Sequence, residues 1–356
     1  MANRLAMLPI PVQSAVVHGL FSLPRPILRL IAGRPIRRDD QELALEMQVL
    51  LRLMALARAE FGSGEDVADA RRGHTEQAPI VQGPPVEPVA TREIPVPGDG
   101  GPIRTRLYTP LGLTEGSPLL IFYHGGGFAL CDLDTHDNVC RFLARESAVR
   151  VLSVDYRLAP EYPFPAGLRD CIAAFSYAAE HATELGIDPE AIALGGDSAG
   201  GNLSAVVAHR AALDGGMRPA FLLLLYPVVD FTRRTRSREL FGEGFFLTDA
   251  AMRRLQGYYL GIDQLADPRA SILLAEDLSG LPPTYLATAG FDPLRDEGAA
   301  FGRRLAEAGV PVTVHCQPDL IHGYANFLAV GPRPREAMAE AAGALRTGLA
   351  LRVKLD

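Results

Sequence analysis

Cysteine is scarce in this sequence, basic charge is not in surplus, and no long apolar run goes unbroken. Each shortage removes a class of protein. The four cysteines (Cys131, Cys140, Cys171 and Cys316) lie far apart with no C-x-x-C pair, so neither a disulfide framework nor a spaced set of metal ligands can be read. They read as thiols of a reducing compartment, and a cytoplasmic location is expected. Acidic residues outnumber basic ones, for a net charge of −7. A nucleic-acid binder needs a basic face to displace phosphate counterions, so no nucleic-acid partner is expected. Residues 5–32 are apolar, but Pro9, Pro11, Pro24 and Pro26 break them, and Gln13, Ser14 and His18 interrupt the middle. Nothing reaches the roughly 18 uninterrupted apolar residues of a spanning helix. No small-residue cleavage site follows one clean apolar core, as a signal peptide requires. Short amphipathic helices that cover an apolar surface are the better reading, with a weak membrane-surface contact through the N-terminus left open.

What is present is a globular composition: 356 residues, 48% hydrophobic and 22% charged. Asp39 followed by Glu42 resembles a capping box. Behind it Leu43, Met47, Leu50, Met54, Ala57 and Phe61 repeat at helical spacing up to Gly62. Residues 63–90 carry glycine, charge and several prolines, which marks a linker. Residues 1–90 are therefore expected as a helical cap and linker, and 91–356 as the main domain. In that domain Arg92–Val96 and Ile103–Thr109 read as a hairpin, followed by short apolar runs at Leu119–Tyr123, Val149–Asp155, Ala191–Leu194, Phe221–Tyr226, Thr284–Thr288 and Val312–Cys316. Helical stretches separate most of them, which predicts an α/β fold with a mostly parallel sheet covered on both faces. The stretch 231–270 lacks a strand period and reads as an insertion over the strand ends, adding to the cap.

Chemistry enters at Gly196-Asp197-Ser198-Ala199-Gly200, which fits G-x-S-x-G between an apolar strand and an Ala-rich helix. His124-Gly125-Gly126-Gly127-Phe128 directly follows the strand Leu119–Tyr123. Consecutive glycines free backbone N–H groups to converge on one point, as an oxyanion hole requires, and the elbow adds the N–H of Ala199. His124 sits on the strand end and reads as holding this loop. A serine hydroxyl needs a base. Of eight histidines, His322 alone lies on a loop after a late strand, where reactive groups of a parallel sheet gather. Asp292 lies just beyond the strand that begins at Thr284 and is the chosen acid partner, with Asp296 in reserve. The chain order Ser, Asp, His is that of the α/β-hydrolases.

Four motifs in order, His124–Phe128, GDSAGG at Gly196–Gly201, Tyr156-Arg-Leu-Ala-Pro-Glu161 and Asp292-Pro-Leu-Arg-Asp-Glu-Gly298, resemble the hormone-sensitive-lipase-like family of bacterial esterases, in its GDSAG branch. The resemblance spans about residues 90–330. It implies an eight-stranded α/β-hydrolase core, an N-terminal helical cap, no cofactor, and a small-molecule carboxylic ester of short or medium acyl chain as substrate. Matched motif by motif, it implies Ser198, Asp292 and His322 as the triad, Gly126, Gly127 and Ala199 as oxyanion donors, and Glu161 as a supporting residue behind the nucleophile. An amidase on the same triad, a membrane-associated lipase and a non-catalytic ligand-binding relative are the rival readings. A homodimer is also open. If residues 1–60 cap the catalytic face, Leu50 and Met54 belong to the acyl pocket.

Overall fold

A computed structural model describes residues 9–57 and 59–351. The N-terminal helices are α1 (Ile10–Phe21), α2 (Arg25–Ala32), α3 (Leu45–Ala57) and α4 (Val67–Gln82). The main body then runs β1 (Val89–Val96), β2 (Ile103–Pro110), β3 (Ser117–Tyr123), α5 (Asp137–Ser147), β4 (Arg150–Asp155), α6 (Ala166–Glu180), β5 (Ile187–Asp197), α7 (Ala199–Asp214) and β6 (Phe221–Leu225). It continues with α8 (Arg236–Phe241), α9 (Asp249–Tyr259), β7 (Thr284–Phe291), α10 (Arg295–Glu307), β8 (Val312–Ile321) and α11 (Pro332–Ala350).

The eight strands form one sheet in the order β1-β2-β4-β3-β5-β6-β7-β8. Only β2 runs against its neighbours; β3 to β8 are parallel. The central strands are apolar without alternation because both their faces are covered: Phe221–Leu225 is buried at every position. One face packs on α6, α7 and α10 through Leu168, Leu203, Val206 and Phe301. The other packs on α5 and α11 through Phe142, Leu143, Met338 and Leu345, and takes in Met47 and Leu50 of α3.

Three expectations change. Asp39 caps no helix: it and Asp40 adopt φ of 54° and 60° in the turn joining Arg37–Arg38 to Gln41–Glu42, and its carboxylate receives Arg236 and Arg295 at 2.7 Å each. Glu42 accepts from Arg37 instead. Residues 63–90 are not a plain linker, because α4 occupies Val67–Gln82, capped by Asp66, which accepts the Asp69 N–H at 2.8 Å. Finally, β8 runs on to Ile321 past a register shift after Gln317, so His322 follows a strand end directly rather than a loop.

Candidate active site

Serine 198 stands between β5 and α7 with φ 54° and ψ −115°, a left-handed backbone that a side-chain-bearing residue adopts only where its surroundings force it. The surroundings here are glycines. A Cβ on Gly200 would overlap the carbonyl of Tyr123, so the first turn of α7 can lie against β3 only without one. The tight turn places Ser198 at the carboxyl end of the sheet, buried to 9% exposure.

Two other strand ends complete the arrangement. His322, after β8, brings Nε2 to 3.0 Å from Ser198 Oγ, and its Nδ1 lies 2.8 Å from Asp292 Oδ2. Asp292 follows β7 and is fully buried; its second oxygen accepts the Leu294 N–H at 2.8 Å. With Nδ1–H donated to the carboxylate, Nε2 is left with the lone pair that faces the hydroxyl. Asp296 does not reach His322. It accepts the Ser237 N–H at 2.7 Å, pairs with Arg295 at 2.9 Å, and so ties α10 to α8.

Across the site lies the glycine loop after β3. Gly126 has φ 106°, where its Cβ would overlap the Leu130 carbonyl, and its own carbonyl accepts from Ala129 and Leu130. Among the described residues, the Gly126 and Gly127 N–H groups have no acceptor. Two residues outside the sequence reading hold this loop. Asp197 Oδ1 accepts the Gly125 N–H at 2.8 Å and lies 3.1 Å from His136 Nε2. Burial alone would push the Asp197 carboxyl up, but His136 and the amide keep it below the usual carboxylate range. His124 is wholly buried, with Nδ1 donating to the Gly125 carbonyl at 2.7 Å and its ring stacked on Tyr156. Burial, helped by His136, lowers its pKa to about 4, so it stays neutral and holds the loop.

Glu161 is not behind the nucleophile. It is half-exposed and takes a two-pronged ion pair from Arg71 of α4 at 2.8 and 2.7 Å. The same guanidinium donates to the Ala129 and Ala159 carbonyls at 2.7 and 2.8 Å, so Glu161 reaches the glycine loop only through Arg71. Two carboxyls do share the pocket with Ser198, Asp230 and Glu297; Glu297 Oε1 accepts the Val229 N–H at 2.8 Å. For Glu297, burial pushes the pKa up to about 8. Its position next to Asp296 in the chain gave no sign of this, because Val229 comes to it from 68 residues away. Tyr226 was also missed; its ring packs edge-on against His322 at 4.8 Å.

The pocket over Ser198, about 60 Å³, is walled by Phe128, Phe231, Met252 and Leu255, with Phe61 the one lining residue from the first ninety. Leu50 and Met54 lie against the opposite core, so α3 is not the acyl wall. Phe128 stacks on Tyr259 with ring centres 3.8 Å apart, a contact worth about 0.5–1.5 kcal/mol beyond burial that fixes the pocket's inner side. No group of three or more potential metal ligands occurs among the described residues.

A parallel sheet in this strand order, with a strained serine at its elbow and a histidine–carboxylate pair at neighbouring strand ends, defines an α/β-hydrolase. Comparison with known proteins agrees. Residues 120–326 match the family described as alpha/beta hydrolase fold. The carboxylic ester hydrolase LipN of Mycobacterium tuberculosis is 43% identical over 336 residues, 92% of this chain and 89% of that protein. The carboxylesterase NlhH of the same species is 43% identical over 254 residues, 69% and 79% of the two chains. A solved ester hydrolase from the metagenome of Lake Arreo, complexed with a derivative of bipyridine phosphonate, superposes with a TM-score of 0.83 at 41% identity, covering 86% of this chain and 98% of its own. The chain belongs to the alpha/beta hydrolase fold family, among its hormone-sensitive-lipase-like esterases.

Proposed function

We propose that this esterase cleaves short- to medium-chain carboxylic esters by passing the acyl group through Ser198. The observation that carries this is the hydrogen-bonded line from Ser198 through His322 to Asp292. Ser198 Oγ attacks the ester carbonyl while His322 Nε2 takes its proton. Asp292 keeps the imidazole in the productive tautomer and stabilises the imidazolium that forms. The carbonyl oxygen gains charge and is met by the N–H groups of Gly126, Gly127 and Ala199. Fixed donors in a dry site act on the developing oxyanion without having to reorganise, and each is worth roughly 10²–10³ in rate. His322 then protonates the departing alcohol, and a water that it deprotonates releases the acid.

The small, aromatic-walled pocket supports acyl chains of modest length, because a long chain must displace Met252 or Leu255 of α9. A series of chromogenic esters from acetyl to hexadecanoyl tests this, with Ser198→Ala as control. Turnover is expected to peak among acetyl to octanoyl esters and to fall on the order of a million-fold in the variant. A peak at hexadecanoyl contradicts the chain-length reading, and near-normal turnover in Ser198→Ala contradicts the mechanism.

A further inference from the structure

Helices α1 and α2 present an outer surface that ester hydrolysis does not use. In α1, Val17 and Phe21 turn inward, while the opposite face, Pro11, Val12, Ala15, Val16 and Gly19, is exposed and has no polar side chain. In α2, Leu28 and Ala32 are buried, and Pro26, Ile27 and Leu30 are exposed, Leu30 to 83%. Thirteen large hydrophobic residues stand exposed among the described residues; Val12, Val16, Leu23, Ile27 and Leu30 fall within this one stretch, and the others are spread over the rest of the chain. A helix that faces only water carries polar or charged groups on that side. Clustered apolar exposure marks a contact surface.

Charge says what the contact is. Residues 9–38 hold Arg25, Arg29, Arg34, Arg37 and Arg38, and none of the 42 acidic residues of a chain whose net charge is −7. Arg29 and Arg37 share Glu42 at 3.8 and 2.8 Å. Arg25, Arg34 and Arg38 have no acidic partner among the described residues. Two copies joined through this surface would bring Arg25, Arg34 and Arg38 of each together, six guanidiniums without an acidic partner in their own copy, since Glu42 is already shared by Arg29 and Arg37. A lipid surface bearing anionic headgroups meets both needs, with acyl chains for the apolar faces and phosphates for the guanidiniums.

We propose that α1 and α2 dock the protein on an anionic lipid surface. The opposite side of α1 is fastened to α4, where Ser14 Oγ donates to the Pro79 carbonyl and His18 Nε2 to that of Ile80, both at 3.1 Å. The helix that receives these bonds also carries Arg71, the clamp on the glycine loop. A docked protein therefore holds its lipid contact and its catalytic loop on one shared element.

Flotation of the full-length protein with vesicles tests the proposal without any substrate, so its outcome is separate from that of the esterase reading. Binding is expected to vesicles containing phosphatidylglycerol, to weaken in high salt, and to be slight on pure phosphatidylcholine. Val16→Glu with Leu30→Glu, both at exposed positions, should abolish it while leaving hydrolysis of a water-soluble acetyl ester and the thermal midpoint unchanged. Arg25→Gln and Arg38→Gln should each weaken it about fivefold, as expected for one cation near an anionic surface. The proposal is overturned if the protein does not float with anionic vesicles or if the double variant binds as well as the parent. A dimer in sedimentation that the double variant converts to monomer overturns it as well, and gives the face to a second copy.

Discussion

Asp292 and Asp296 flank the start of α10 four residues apart, yet their partners give them different work. Asp292 holds His322, so Asp292→Asn should cut turnover by about 10⁴-fold through the wrong imidazole tautomer. Asp296 binds the Ser237 N–H and Arg295, so Asp296→Asn should cost about 1 kcal/mol of stability with little change in kcat. Kinetics and denaturation of the two variants separate these roles, and the reverse ranking would move the acid to Asp296. Glu297 makes a second test. Its pKa is raised from 4.5 to about 8 by burial. Between those values the unfolded chain has released the proton that the folded protein keeps, so this group's contribution to stability is full below pH 4.5 and is lost as pH rises through 8. The difference in thermal midpoint between wild type and Glu297→Gln should therefore change steadily across that window, and a pH-independent difference would mean Glu297 is ionised when folded. The hydrogen-bonded line of Ser198, His322 and Asp292 was legible because each follows a recognisable strand and the motif order is fixed. Glu297, Asp197 and Tyr226 were not, since their roles rest on contacts that only the closed fold brings about.

Among the elements, the buried strands were the easiest to read. Continuous apolar runs such as Phe221–Leu225 have one use in a chain of this kind, and their positions agree with the sequence to within a few residues. The N-terminal region was harder. Four prolines and mixed charge between 63 and 90 hid α4, although Asp66 stood at its start as a capping residue. Pro79 lies inside this helix near its end, where it costs less than in the middle. Helix α3 shows the helical period expected of it, but periodicity cannot say which core its apolar stripe joins. Helix α4 is tied to the glycine loop through Arg71. The Arg71–Glu161 pair itself, half in solvent, is worth only about 0–1 kcal/mol. The bonds from Arg71 to the Ala129 and Ala159 carbonyls hold the chain that presents Gly126 and Gly127. Arg71→Ala is thus expected to lower kcat by roughly tenfold, short of the 10²–10³-fold cost of losing an oxyanion donor outright, with KM nearly constant. Glu161→Gln, which leaves the carbonyl bonds in place, should cost less. A loss of thermal stability with unchanged kcat in both variants would reduce Arg71 to a structural strut.

At the scale of the whole molecule, three groups far apart in sequence meet because a parallel sheet gathers its carboxyl ends on one side. Ser198, Asp292 and His322 follow β5, β7 and β8, and the glycine loop follows β3. The sheet, its two covered faces and the gathering of Ser198, Asp292 and His322 at its edge could all be anticipated from the order of apolar runs and motifs. The stretch 231–270 could be read as an insertion over the strand ends, but which of its residues wall the pocket could not, because 228–256 carry no motif and take their shape from packing against Phe128 and Phe61. The central claim, that Ser198 is the nucleophile activated by His322, has a direct measurement: the rate and site of labelling by an alkyl phosphonate, read by intact-protein and peptide mass spectrometry. One adduct per chain, located on Ser198, is expected, with none on Ser198→Ala and labelling slowed by several orders of magnitude in His322→Ala. Stoichiometric labelling of Ser198→Ala, or equal rates in wild type and His322→Ala, would contradict it.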